Sequence, residues 1–174
     1  IIGLGVGEQL LRLLDYREDV DVLAICDSNP KKLLEVSSKF PKVKSHQNDF
    51  EIIENPEINL VCIATYDDVH CAQILASIDK DKHVFVEKPV CLFKDEARAI
   101  IDHLKEKPNL KLSSNLILRK SQRFLDLKSR IESGQFGEIF ALDADYYYGR
   151  VEKLTKGWRG EIDYYSVFLG GGIH

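Results

Sequence analysis

The run Phe85-Val-Glu-Lys-Pro89 ends an apolar, β-forming stretch with a carboxylate, an ammonium and a proline side by side. Two readings fit Glu87 and Lys88. They are a solvated pair before a proline stop, or a charged pair set at a ligand crevice. In the second, an ammonium stabilises developing negative charge and a group of tuned pKa takes a proton. A second chemical feature lies at residues 3–7, Gly-Leu-Gly-Val-Gly, where a first strand hands over to a helix. Gly3, Gly5 and Gly7, with Val6 between them, permit a tight turn and let backbone N–H groups approach a diphosphate. A purely structural turn uses the same residues. The strict G-x-G-x-x-G spacing asks for glycine at position 8, and this chain has Glu8. Asp27 stands 22 residues beyond Gly5, followed by Ser28. A carboxylate at that strand end accepts hydrogen bonds from adenosine ribose hydroxyls and repels a 2′-phosphate, which favours NAD over NADP. Lys31 and Lys32 nearby suit the phosphorylated cofactor instead, and Asp27 equally serves as a cap of the turn Asp27-Ser-Asn-Pro30.

These residues are positioned by alternating strand and helix patterns. A strand tail at 1–3 precedes a helix in which Leu10, Leu11, Leu13 and Leu14 are expected on one face. A strand at 20–27 leads to a helix opened by Pro30, with Leu33, Leu34 and Val36 behind it. The continuous apolar run 60–65 reads as a parallel strand buried on both faces. A helix over 68–79 follows, with Val69, Ala72, Leu75 and Ile78 as core positions. Then come the strand at 83–87, a helix over 95–107 with Ala97, Ile100, Ile101 and Leu104 facing the core, and a strand over 110–118. The fold class is α/β: right-handed βαβ crossovers making a Rossmann-type parallel sheet with helices on both faces. Ligands of such sheets bind outside the carboxyl ends of the strands. After Arg119 a helical run (122–133) leads to residues 139–148, where Phe140, Leu142, Ala144 and Tyr146 alternate with Asp143 and Asp145. This predicts a second domain over 120–174, the beginning of an α+β unit with a largely antiparallel sheet, after a first domain over 1–119.

The bulk composition excludes little but points one way. The chain has 174 residues, 44% of them hydrophobic, and a net charge of −4, with both signs interspersed. That argues against nucleic acid or an anionic membrane as partner. No apolar run has the length of a membrane span. The four cysteines lie far apart, with Cys26 and Cys62 in strand-like runs, and read as core thiols of a cytoplasmic protein. The five histidines are scattered, and no Cys/His spacing suggests a metal. With no methionine and abrupt ends, the sequence reads as a fragment.

The series Gly3-Leu-Gly-Val-Gly7, Ala64-Thr-Tyr-Asp-Asp-Val-His70, Lys82-His-Val-Phe-Val-Glu-Lys-Pro89, Gly157-Trp-Arg159 and Gly170-Gly-Gly-Ile-His174 resembles the Gfo/Idh/MocA oxidoreductase family over essentially the whole chain. The 82–89 motif is the most specific and the glycine loop the least. The resemblance implies an N-terminal Rossmann domain binding nicotinamide dinucleotide and a C-terminal domain walling the substrate site. It maps the catalytic lysine onto Lys88 and the catalytic histidine onto His174, both near the substrate. Glu87 would orient the nicotinamide or Lys88, with Pro89 fixing the backbone after them. Thr65 and Tyr66 would pack on the nicotinamide half, although the family more often has proline where Tyr66 stands. His70 matches a family histidine, or is an ordinary partly buried one. Asn115 would touch nicotinamide or substrate. Arg119, Trp158 and Arg159 are assigned to the substrate, the last two by stacking and forked hydrogen bonds to a sugar or polyol, with a structural role as the alternative for Arg119 and Trp158. The family's acid before the histidine has no counterpart here, since Gly170 stands in its place; Asp163, Tyr164 and Tyr165 lie just upstream.

The function expected is an NAD(P)-dependent dehydrogenase or reductase acting on CH–OH groups of a sugar, polyol or related keto compound, in a homodimer or homotetramer. Glu8 and Gly170 motivate an alternative, a dinucleotide-binding regulator without turnover. A lyase or hydrolase oxidising its sugar transiently is a third.

Overall fold

The computed structural model describes residues 1–162 and Tyr165, and the chain separates into two compact units, Ile1–Asn115 and Leu116–His174. In the first unit, β1 (Ala24–Cys26) pairs in parallel with β2 (Lys44–His46), and β3 (Leu60–Ile63), β4 (His83–Val86) and β5 (Leu112–Ser114) form a parallel set. The opening segment joins them, because Ile2 bridges both Cys26 and Ile63. The order is therefore β2, β1, opening segment, β3, β4, β5. The direction of strand succession reverses at the opening segment, where an open α/β sheet forms its crevice.

Strand periodicity divides the core between two faces. Ile1, Ile25 and Cys62 turn to α1 (Gly7–Asp15) and α2 (Pro30–Lys39), meeting Leu11, Leu33 and Val36, with Phe85 packed alongside. Ile2, Cys26, Val61, Ile63, Val84 and Val86 turn to the other face, where α4 (His70–Asp79) brings Ile74 and Ile78 and α5 (Lys94–Glu106) brings Ile100. The short α3 (Phe50–Ile53) adds Ile52 and Ile53 there. The buried thiols of Cys26, Cys62 and Cys71 belong to this packing, and burial pushes the Cys26 thiol up to about 11, which keeps it an unreactive core group.

Local chemistry sets the helix starts. Asn29 accepts from the backbone N–H of Lys31 (3.0 Å) and Lys32 (3.3 Å), and Pro30 occupies the first turn of α2, where its missing donor costs nothing. The Glu96 carboxylate accepts from the N–H of Leu92 and Phe93, closing the start of α5. Several expected core positions face solvent instead: Leu13, Leu34, Val69, Ala72 and Ile101 are exposed. The cause is the 100° step of a helix. Once Gly7 and Leu11 face the sheet, Leu13 lies on the opposite side, and in α4 the buried stripe runs through His70, Cys71, Ile74 and Ile78. The strand expected over 110–118 stops at Ser114, and Ile117–Lys120 forms a 3₁₀ turn. Neither β2 nor α3 was anticipated.

The second unit contains α6 (Gln122–Glu132), α7 (Glu152–Thr155) and a 3₁₀ turn at Gly157–Glu161. Residues 139–148, expected as a strand, have no strand pairing, and Phe140, Leu142 and Tyr147 are largely exposed. Alternation gives a chain two faces but supplies no partner for its backbone groups, and no strand occurs among the described residues of this unit. Among the described residues no helix is long and apolar enough to cross a membrane.

Candidate active site

The glycine loop is built on three different demands. Gly3 has φ +84°, and a Cβ there would lie 2.5 Å from the Ala64 carbonyl oxygen, so β3 and the backbone conformation both require glycine. At Gly7 a Cβ would come to 3.1 Å from Ile1 Cγ2 and 3.3 Å from Ala64 Cβ, so glycine lets α1 close onto the sheet. A Cβ on Gly5 would meet nothing within 4 Å. Gly5 and Val6 are exposed at the head of α1, leaving that stretch of backbone open to a ligand. The packing glycine of the dinucleotide fingerprint thus sits at position 7. Glu8, which the strict spacing marks as a defect, projects elsewhere.

Asp27 fastens this loop. Its Oδ2 accepts from the N–H of Leu4 (2.8 Å) and its Oδ1 from the N–H of Asn29 (2.8 Å). The capping reading of Asp27 is therefore observed, and the carboxylate retains lone pairs for further donors. Ser28 is exposed in the same turn. A turn with open backbone donors beside an ionisable acceptor fits the diphosphate and ribose of a dinucleotide, with Gly5, Val6, Asp27 and Ser28 as the residues that would hold it.

Sheet register brings the other candidates to neighbouring strand ends. Glu87 donates its N–H to the Ile63 carbonyl (2.8 Å), and Asn115 donates its N–H to the Val86 carbonyl (2.9 Å). The Asn115 side-chain amide then donates to Glu87 Oε1 at 2.6 Å, fixing the carboxylate next to Lys88. The Lys88–Pro89 peptide bond is cis and Pro89 is fully buried. His70 is also fully buried. Its Nδ1 lies 2.7 Å from the Pro89 carbonyl and its Nε2 3.3 Å from the Thr65 carbonyl, so the ring ties the loop after β3 to the turn after β4. Thr65 donates its hydroxyl to Gln73 Oε1 (2.7 Å), and Gln73 donates to Asp49 Oδ2 (2.8 Å). Tyr66 is exposed at the same strand end. Reading by motif missed Gln73 and Ser114, whose buried hydroxyl has no partner among the described residues and neighbours Asn115.

In the second unit Arg159 lies over the Trp158 ring (4.2 Å to its centroid) and donates from Nε to the Tyr165 hydroxyl (3.0 Å). Trp158 and Tyr165 meet edge to face. Arg119 lines a groove of about 530 Å³ with Leu118, Phe124 and Leu125. His174, Gly170, Asp163 and Tyr164 lie outside the described residues. Among the described residues no three His, Cys, Asp or Glu side chains gather as for a metal ion.

Comparison with known proteins shows the family and the fold. The chain is 29% identical over 143 residues to a myo-inositol 2-dehydrogenase of Thermotoga maritima, covering 82% of this chain and 42% of that protein. A levoglucosan dehydrogenase of Pseudarthrobacter phenanthrenivorans is 29% identical over 122 residues, covering 70% and 31%. The chain thus spans less than half the length of these relatives. Among solved structures, scyllo-inositol dehydrogenase of Lactobacillus casei with bound NAD(H) and scyllo-inositol superposes with TM-score 0.75 at 21% identity, covering 79% of this chain and 41% of that one. A probable dehydrogenase of Thermotoga maritima gives TM-score 0.72 at 28% identity, covering 78% and 41%. The family model described as "Oxidoreductase family, NAD-binding Rossmann fold" matches residues 1–115, which is the whole of the first unit. With its glycine loop, Asp27 and the Glu87–Lys88–Pro89 turn on one parallel sheet, the chain belongs to the Gfo/Idh/MocA oxidoreductase family.

Proposed function

We propose that this chain is the cofactor-binding part of an NAD-dependent dehydrogenase that interconverts a CH–OH group of a sugar or cyclic polyol and the corresponding ketone. The observation that carries it is the shared sheet end. Glu87, held by Asn115, and Lys88 follow β4 on the same parallel sheet whose opening strand runs into the glycine loop. Relatives named as inositol and levoglucosan dehydrogenases support the polyol class.

Bound NAD supplies a two-electron acceptor for hydride, and NADH a donor in the reverse direction. The protein's part is to bind, orient and move a proton. Gly5 and Val6 offer backbone donors to the diphosphate, and Asp27 accepts from the ribose hydroxyls, which favours NAD over NADP. Thr65 and Tyr66 border the nicotinamide half. Lys88 takes the proton from the substrate hydroxyl on its free amine as hydride leaves during oxidation, and the ammonium so formed stabilises the alkoxide and gives the proton back during reduction. Glu87 and Asn115 keep the ammonium in place, and His70 acts from behind by holding the Pro89 turn. His174, Arg119, Trp158 and Arg159 are assigned to the substrate by the family resemblance.

The alternative as a regulator without turnover rested on Glu8 and Gly170. Gly7 already fills the packing role that Glu8 vacates, which weakens that reading. The test is a fluorescence titration of the full-length protein with NADH, followed by turnover with inositols, sugars and their keto forms. Lys88→Ala is expected to lower turnover by about a hundredfold or more while NADH affinity stays within about threefold. Unchanged turnover would remove Lys88 from the mechanism. Binding without turnover on any substrate would favour the regulator, and NAD retained without net NADH release the transient oxidation.

A further inference from the structure

Glu8 stands one residue inside α1, where a carboxylate would oppose an incoming diphosphate. Its side chain, only 12% exposed, is turned toward α2 and surrounded by cations. Oε2 takes the Lys32 ammonium at 2.6 Å, while Oε1 takes the Arg12 guanidinium at 2.6 Å and the Lys39 ammonium at 3.1 Å. Lys32 is the informative partner. It lies in the first turn of α2, five positions after Asp27, and its own N–H is held by the Asn29 cap. A cation so placed is next to the turn that would receive the adenosine ribose. Here its ammonium is drawn to α1. Glu35 also pairs with Lys39 at 2.6 Å, but reaches Lys32 only at 3.6 Å. Removing the Glu8 charge would therefore leave Lys39 with Glu35 at 2.6 Å and Lys32 with only the longer Glu35 contact at 3.6 Å, freer to turn toward the ribose.

We propose that Glu8 is a specificity residue. By pairing Lys32 it withholds from the ribose 2′ position the cation a 2′-phosphate needs, and so reinforces the preference for NAD that Asp27 begins. The inference rests on the dinucleotide-binding reading above. It assigns a role to the one residue that breaks the strict glycine spacing. It also explains how adjacent lysines, a feature suited to NADP, coexist with an acid at the end of β1.

The test compares equilibrium titrations of NADH and NADPH on the full chain at one fixed ionic strength, since the effect is electrostatic. Glu8→Gln is expected to improve NADPH relative to NADH by about tenfold, the worth of one charge-assisted contact to phosphate. The gain should vanish in Glu8→Gln/Lys32→Ala. In the natural background, Lys32→Ala should leave the NADPH to NADH ratio unchanged, a result that does not depend on Glu8→Gln folding. An unchanged ratio in folded Glu8→Gln overturns the proposal while NADH binding stands. So does a gain that survives in the double variant, or a several-fold loss of NADPH in Lys32→Ala alone. Failure of the natural chain to bind either dinucleotide overturns the proposal together with the reading beneath it.

Discussion

Two glycines separated by one residue answer to different masters. Gly3 is demanded by the protein, through positive φ and the carbonyl of Ala64 at 2.5 Å from a would-be Cβ. Gly5 is demanded by nothing in the protein. Gly3→Ala should therefore lower stability by about 2–4 kcal/mol, from backbone strain plus displacement of β3, read as a shifted urea midpoint. Gly5→Ala should stay within about 1 kcal/mol of the natural midpoint yet weaken NADH binding at least about tenfold, because its methyl enters the space left for the diphosphate. Equal losses of stability would show that the two positions do not divide in this way. His70 belongs beside them. It is fully buried between two carbonyls, and His70→Ala would strand the Pro89 carbonyl and open a cavity. A loss of about 2–4 kcal/mol is expected.

Helices α1 and α2 share one face of the sheet and are joined across their polar edges by Glu8 with Arg12, Lys32 and Lys39. The Lys32 hydrogen bond, then those of Arg12 and Lys39, hold the Glu8 carboxyl down to about 2. A carboxylate whose pKa is depressed on folding contributes stability that is whole above its ordinary value near 4.5 and fades as pH falls toward 2. Because the cations are partly solvated, the contribution should be about 1 kcal/mol rather than the full linkage value. The stability difference between the natural chain and Glu8→Gln should hold steady from pH 7 to about pH 5 and shrink below about pH 4.5. A difference that grows on acidification would contradict the network.

The two units differ in what they bury. Ile1–Asn115 contains both apolar clusters and every strand found among the described residues, whereas no described residue from Leu116 onward is buried. Residues 1–115 expressed alone should unfold in one cooperative transition and bind NADH; residues 116–174 alone should show none by near-ultraviolet circular dichroism. A cooperative transition in the second piece would mean that its core involves residues beyond those described. Phe140, Leu142 and Tyr147 are exposed, and if the protein forms the expected homodimer or homotetramer, sedimentation of the full-length protein should show a dimer or tetramer rather than a monomer.

Sequence alone determined the alternation of strands and helices, the glycine loop and the Asn29-Pro30 helix start, because each rests on residues within one element or turn, and Asp27 was legible by its place at the end of the next strand. The short polar edge strand Lys44–His46 and the four-residue α3 escaped, since neither is long enough to show a period. Residues 139–148 have a strand's alternation without a strand's partner. The candidate site was legible as residue types only. That Asn115 holds Glu87, that His70 ties Pro89 to Thr65, and that Glu8 occupies Lys32 follows from β-register and helix packing. These partners lie 28, 19 and 24 residues apart for the Asn115, Pro89 and Lys32 contacts, beyond the reach of any local pattern. A side chain's type is written in the chain, but what it touches is settled only when the sheet sets distant strand ends next to one another.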